Sequence, residues 1–288
     1  MNEVEVRSRA RAFVVRASTA GMPDIEAYAR AAQARIRYDD LPEGESGMTV
    51  KKGAGYVITV NSNESSKRQR FTICHEIAHL ELRLPTEHAD APSWRFAKRH
   101  INEVWCDIFA SELLMPYQKF TERIPADDPS AAAIEWLADE FGASFPATAS
   151  RYASLVTFPC AYVIMKEGMV RFAEPNAALR TKGLRIAMKC PIPPGTVAHR
   201  LRAARASAID TGAVAQDMWF ENGDGGYEIH EISRHYGDHD ETISVIWCAE
   251  EDLPQAELDR FNRRVQHDEG LEPLDGVITW KNHGPRRR

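Results

Sequence analysis

The chain opens on a helical pattern. Residues 3–17 read as a helix, and Asp24 caps a second one expected to run to about Arg35. Leu41-Pro42-Glu43-Gly44-Glu45-Ser46-Gly47 is turn-rich. Gly55 to Asn61 is rich in β-branched and aromatic residues and predicts a strand. Asn63-Glu64-Ser65-Ser66 then supplies capping residues. From Lys67 to about Leu84 the residues Phe71, Cys74, Ala78 and Leu82 keep the 3-and-4 spacing of a helix, which Pro85 closes. A further helix runs from about Ile101 to Met115 and stops at Pro116.

After the polar break at Pro125 to Ser130, two short helices (Ile134 to Phe141, Phe145 to Val156) flank Gly142-Ala143-Ser144. The texture changes after Phe158. Cys160 to Lys166, Tyr227 to Tyr236 and Thr242 to Cys248 read as strands, the last two joined by a hairpin at Gly237-Asp238-His239-Asp240. A helix near Gln255 to Val265 is expected to end the fold. The fold class is therefore α+β, and the length favours two units with a boundary near 157.

Composition narrows the function. The net charge of -6 and the pI of about 6.0 argue against a dedicated nucleic-acid binder. The one dense basic run, Arg286-Arg287-Arg288, reads as a solvated tail. No apolar run is long enough for a secretory signal or a membrane span. Five cysteines with no CxxC pair read as reduced thiols, which points to the cytoplasm.

The chemistry lies in His75-Glu76-Ile77-Ala78-His79, an H-E-x-x-H match on a predicted helix. Residues four apart share a helix face, with Cβ atoms roughly 5–6 Å apart, so both imidazoles can bind one ion. Glu76 is rotated about 100° from His75 and is placed to act as general base. Zinc at such a site lowers the pKa of a coordinated water to about 7 and polarises a peptide carbonyl. Two histidines and a glutamate on a partly buried face need such a reason.

A catalytic zinc site needs a third protein ligand and one open position. The metzincin continuation would require glycine at position 82 and histidine at position 85, where the chain has Leu82 and Pro85. Glu103 is the candidate from the next helix. Asp107, one turn on, can hydrogen-bond a ligand histidine and fix its ring. Glu87, Asp90 and Glu112 are rival ligands, and the bland reading of Glu103 and Asp107 is an exposed acidic stripe. Manganese or another divalent ion would also suit two histidines and a carboxylate.

Lys67 to Leu80 resembles the active-site helix of the ImmA/IrrE family of metallopeptidases. Cys106-Asp107-Ile108-Phe109-Ala110-Ser111-Glu112-Leu113-Leu114-Met115-Pro116 resembles that family's second signature, A-N/D-x-F-A-x-x-L-L-M-P. The Val60-Asn61 strand end and the Asp24 to Ala29 helix also fit, so the resemblance covers roughly residues 20 to 155. Cys74 and Cys106 stand where the family often has alanine, and Trp105 where many members have a second Glu. The resemblance implies a thermolysin-like minimal zincin domain (1–122) with a helix-turn-helix-like extension (123–157). A C-terminal α+β domain (158–288) follows, GAF-like and sensory in some members. It also implies a protein substrate, a helix-turn-helix repressor of the XRE type, whose cleavage would release stress or mobile-element genes.

Other features carry weaker expectations. Tyr56 to Asn61 could line a cleft as an edge for an extended peptide. Tyr117, His88 and His100 are candidate oxyanion donors by proximity in sequence. Residues 134–156 could read DNA, but Arg151 is the sole basic residue there against Glu135, Asp139 and Glu140. Arg234 to Asp240 could hold a second metal, though a solvated hairpin is the simpler reading. Cys74 and Cys106 are expected to pack rather than react. The alternatives to a zinc endopeptidase are a DNA-binding regulator with a structural metal and a partner that captures a repressor without cutting it.

Overall fold

In the computed structural model the described residues are 1–17, 21–85, 100–205, 207–223 and 226–249. The N-terminal half pairs helices with a small sheet. α1 (Glu3–Arg16) and α2 (Ile25–Ala31) are capped by Asn2 and Asp24 side chains. α2 stops four residues before Arg35, because Gln33 takes a left-handed conformation (φ 57°) and its carbonyl accepts the Tyr56 amide. The chain thereby enters β1 (Ala34–Asp39), which is followed by β2 (Gly47–Lys52) and β3 (Gly55–Asn61).

These strands lie in the order β1-β3-β2, with β1 parallel and β2 antiparallel to β3. β3 is therefore the central strand, and the expectation that Tyr56 to Asn61 offers an edge is overturned. The edge on the β2 side is β2 itself. Its Gly47 is fixed by close approach: a Cβ there would stand 2.5 Å from Thr72 Cγ2 and 2.9 Å from the Thr59 carbonyl.

α3 (Ser66–Leu82) follows, capped by Ser65 and ended by Arg83 in the left-handed conformation. α4 (Ile101–Leu114) packs along it. α5 (Tyr117–Thr121), α6 (Ala131–Glu140) and α7 (Phe145–Leu155) complete the helical half.

A five-stranded antiparallel sheet follows, in the order β5-β4-β8-β7-β6. Its strands are β4 (Cys160–Lys166), β5 (Met169–Pro175), β6 (Ala208–Ala215), β7 (Glu228–Tyr236) and β8 (Glu241–Trp247). α8 (Ala177–Lys182) and α9 (Val197–Ala204) interrupt it. The period of two along β4 divides its side chains between two cores. Cys160, Tyr162 and Ile164 join the core made with α1 to α4, α6 and α7. Ala161, Val163 and Met165 face the second core, with Leu179, Ala198, Trp219 and Phe220. Burial on both faces explains why this strand reads as an unbroken apolar run.

The first core continues across position 157, and the described residues belong to one compact unit by their contacts. The expected helix at Gln255 to Val265 and the basic tail lie outside the described residues. No helix among the described residues is long and apolar enough to cross a membrane.

Candidate metal centre

α3 and α4 bring His75, His79 and Glu103 together from two adjacent helices. His75 sits on the α3 face that meets α4, where its Nδ1 is 2.9 Å from Asp107 Oδ1. His79 Nδ1 is 3.3 Å from the Leu84 carbonyl, beyond the helix end. An acceptor opposite each Nδ1 makes that nitrogen the N–H donor, so both Nε2 atoms carry lone pairs. Those lone pairs converge. The two Nε2 atoms are 3.1 Å apart, His75 Nε2 is 3.1 Å from Glu103 Oε2, and His79 Nε2 is 3.5 Å from Glu103 Oε1.

This donor set fits a cation. Two imidazole nitrogens and a carboxylate facing one another without protons repel unless a positive charge lies among them. Glu103 Oε1 is buried and makes no hydrogen bond. Ligand atoms about 2.0–2.1 Å from a tetrahedral ion stand about 3.3 Å apart, close to the separations seen here. A proton is the other cation the site can take. Burial lowers the His75 pKa, but hydrogen bonds to Asp107 and Glu103 and the Asp107 and Glu76 charges push it up to about 9. Burial also works to raise the Glu103 carboxyl, and His75 and His79 hold it far below the usual carboxylate range.

Glu76 is buried beside this set, on the α3 face toward β2. Thr49 Oγ1 donates a 2.6 Å hydrogen bond to its Oε2. Sequence reasoning missed Thr49, because β2 has no strong alternation and the pairing joins residues far apart in the chain. Phe71, its ring tilted against the His75 ring with centroids 6.1 Å apart, forms another wall. Gln69 ties α3 to the carbonyls of Asn61 and Ser62 at the end of β3, and Arg70 reaches the Phe141 and Pro23 carbonyls. The helix that carries both histidines is thus fastened at several points.

The remaining candidates separate. Glu112 is nine residues beyond Glu103 on α4, about 13 Å along the axis at 1.5 Å per residue. It is fully buried and bound by Arg151 at 2.8 Å and Arg11 at 3.0 Å, so it has no part in the cluster. Tyr117 lies at that same far end, under the Arg11 guanidinium, with its backbone N–H bonded to Glu112. His100 caps α4 through Nδ1, one turn before Glu103. His88, Glu87 and Asp90 fall outside the described residues.

Arg151, the single basic side chain counted for DNA contact in residues 134–156, is buried against Glu112 and cannot reach a phosphate backbone. In the 234–240 turn, Asp240 is held by a bidentate pair with Arg202 and His235 is hydrogen-bonded to Thr242. Among the described residues, that turn forms no metal cluster. Cys74 and Cys106 are buried, and burial lifts the Cys74 thiol to about 12, which favours packing over reactivity.

No match is found among curated protein sequences. A solved structure described as a Mycobacterium tuberculosis transcriptional regulator has a similar fold, with a TM-score of 0.58 at 15% identity, covering 85% of this chain and 76% of that one. Residues 25–152, which hold α2 to α6, most of α7 and every residue of the cluster, match the family of the IrrE N-terminal-like domain, Peptidase_M78. Over that span, and in the two signatures it contains, the chain is similar to the IrrE N-terminal-like, Peptidase_M78 family.

Proposed function

We propose that the chain is a zinc-dependent endopeptidase that inactivates a helix-turn-helix repressor of the XRE type. The observation that carries this reading is the convergence of His75, His79 and Glu103 beside a buried carboxylate, Glu76, aligned by Thr49. The match of residues 25–152 to a peptidase family supports it. The repressor as substrate rests on the family resemblance. We read residues 1–122 as a thermolysin-like zincin domain, 123–157 as its helix-turn-helix-like extension, and 158–288 as a GAF-like sensory part. The reduced cysteines fit a cytoplasmic protein.

In this reading His75, His79 and Glu103 hold the ion, and Asp107 orients His75. A divalent ion bound there supplies Lewis-acid polarisation of a carbonyl and acidifies water, with manganese able to replace zinc. Glu76 accepts the proton of the attacking water and passes it to the leaving amine nitrogen. Among the described residues nothing bonds Glu76 Oε1, so that oxygen is free for the proton while Thr49 holds Oε2. An extended substrate would add to the outer edge of β2 by main-chain hydrogen bonds, next to Thr49.

The test is Glu76→Gln, assayed against a co-expressed XRE-type repressor. The variant should keep its metal and lose cleavage. Cleavage at the parent rate would overturn the mechanism. An intact repressor that co-purifies stably with the parent protein would favour capture without cutting.

A further inference from the structure

At the end of α4 away from Glu103, four arginines line a cavity of about 230 Å³. Arg7 and Arg11 come from α1, Arg151 from α7 and Arg180 from α8. One carboxylate stands behind three of them. Glu112 accepts from Arg151 at 2.8 Å and Arg11 at 3.0 Å, with Arg7 at 3.6 Å. With Glu3 and Glu174 counted, four guanidinium groups meet three carboxylates, which leaves one positive charge in excess. Glu3 and Glu174 pair with Arg7 and Arg180 at 2.8 and 3.5 Å, but their side chains are 57% and 54% exposed. Such solvated pairs hold weakly and can give way to a better anion.

Arg151 makes this a built site. Its side chain is 3% exposed, with Nε bonded to the Met115 carbonyl and Nη2 to Glu112. Among the described residues nothing bonds its Nη1, and the residue lines the cavity. Ser150 and Ser154 add hydroxyls to the wall. Planar guanidinium forks arriving from three helices suit a tetrahedral group with several oxygens, and a dianion can take the place of Glu3 and Glu174 on Arg7 and Arg180. The cavity is smaller than those of roughly 300–1,000 Å³ that take drug-sized ligands.

We propose that this cavity binds a small phosphorylated metabolite, its phosphate held by Arg7, Arg11 and Arg151 with Arg180 at the mouth. The ligand displaces Glu3 and Glu174 from their arginines and leaves Glu112 as the rear partner. The site shares no residue with the metal cluster, so it stands whether or not the chain is a peptidase.

The experiment is calorimetric titration of the full chain with inorganic phosphate and with glycerol 3-phosphate, using glycerol and sulfate as comparisons. Arg7→Gln/Arg180→Gln is titrated beside the parent, because both of these side chains reach solvent and their loss leaves the Glu112–Arg151 pair intact. The expected result is saturable binding of both phosphate compounds with a Kd of about 1 mM or tighter, none of glycerol, and at least a roughly ten-fold loss in the double variant at unchanged metal content. No saturable binding of either phosphate compound would overturn the proposal. So would equal affinity in the double variant, or sulfate binding as tightly as glycerol 3-phosphate.

Discussion

Thr49 Oγ1 donates a 2.6 Å hydrogen bond to Glu76 Oε2, joining the edge strand β2 to the helix that carries His75 and His79. The bond leaves one oxygen of the carboxylate committed and the other available. A hydrogen bond to a charged group contributes about 1.5–3 kcal/mol, and roughly 1.4 kcal/mol is a factor of ten in rate. Thr49→Val should therefore lower kcat by about ten-fold or more with metal content and KM little changed, and Thr49→Ser should restore most of it. Equal rates for the Val and Ser variants would remove Thr49 from the account.

Asp107 orients His75 through Nδ1 at 2.9 Å. Removing such a partner typically costs about 10–100-fold in metal affinity. Asp107→Ala should show a loss of that size in competition with a chromogenic chelator, while the fold by circular dichroism stays the same. Unchanged affinity would mean that Asp107 only neutralises charge nearby.

The helices of the site were legible in the sequence because their apolar positions keep the 3.6-residue period and their ends carry plain signals. α3 begins at the Ser65 cap, and α4 ends just before Pro116. β2 was not legible. It is a half-exposed edge in which Val50 faces solvent, so no alternation marks it, and Thr49 went unnoticed with it. β5, β6, α8 and α9 escaped for a similar reason, since their buried positions are few and leave no clear period. Tyr117 drew attention by its place in sequence, but the length of α4 carries it away from Glu103. The Glu112–Arg151 pair spans 39 positions and has no local signature.

That pair carries its own prediction. Both side chains are buried, and removing one partner of a buried ion pair costs about 3–5 kcal/mol because the other charge is left unpaired. Glu112→Gln should lower the thermal midpoint sharply and still bind one ion, since Glu112 lies about 13 Å along the helix from Glu103. Metal loss in a folded Glu112→Gln protein would restore Glu112 as a ligand.

Cys160 links stability to alkaline pH. Burial, reinforced by the neighbouring Cys248, lifts its thiol far above the ordinary value of 9.0. The folded chain keeps a proton that the unfolded chain releases above pH 9.0, so stability should be full below that pH and fall as pH rises beyond it. Urea midpoints measured across this range should decline for the parent and decline less for Cys160→Ala. Matching slopes would mean that other groups dominate.

The most direct measurement of the central claim is metal content by elemental mass spectrometry, on the parent and on Glu103→Ala purified without added metal. One equivalent of zinc in the parent and a sharp loss in the variant is the result expected from His75, His79 and Glu103 acting as one ligand set. Zinc retained in full by Glu103→Ala, or a parent that binds no ion even when zinc is supplied, would contradict it.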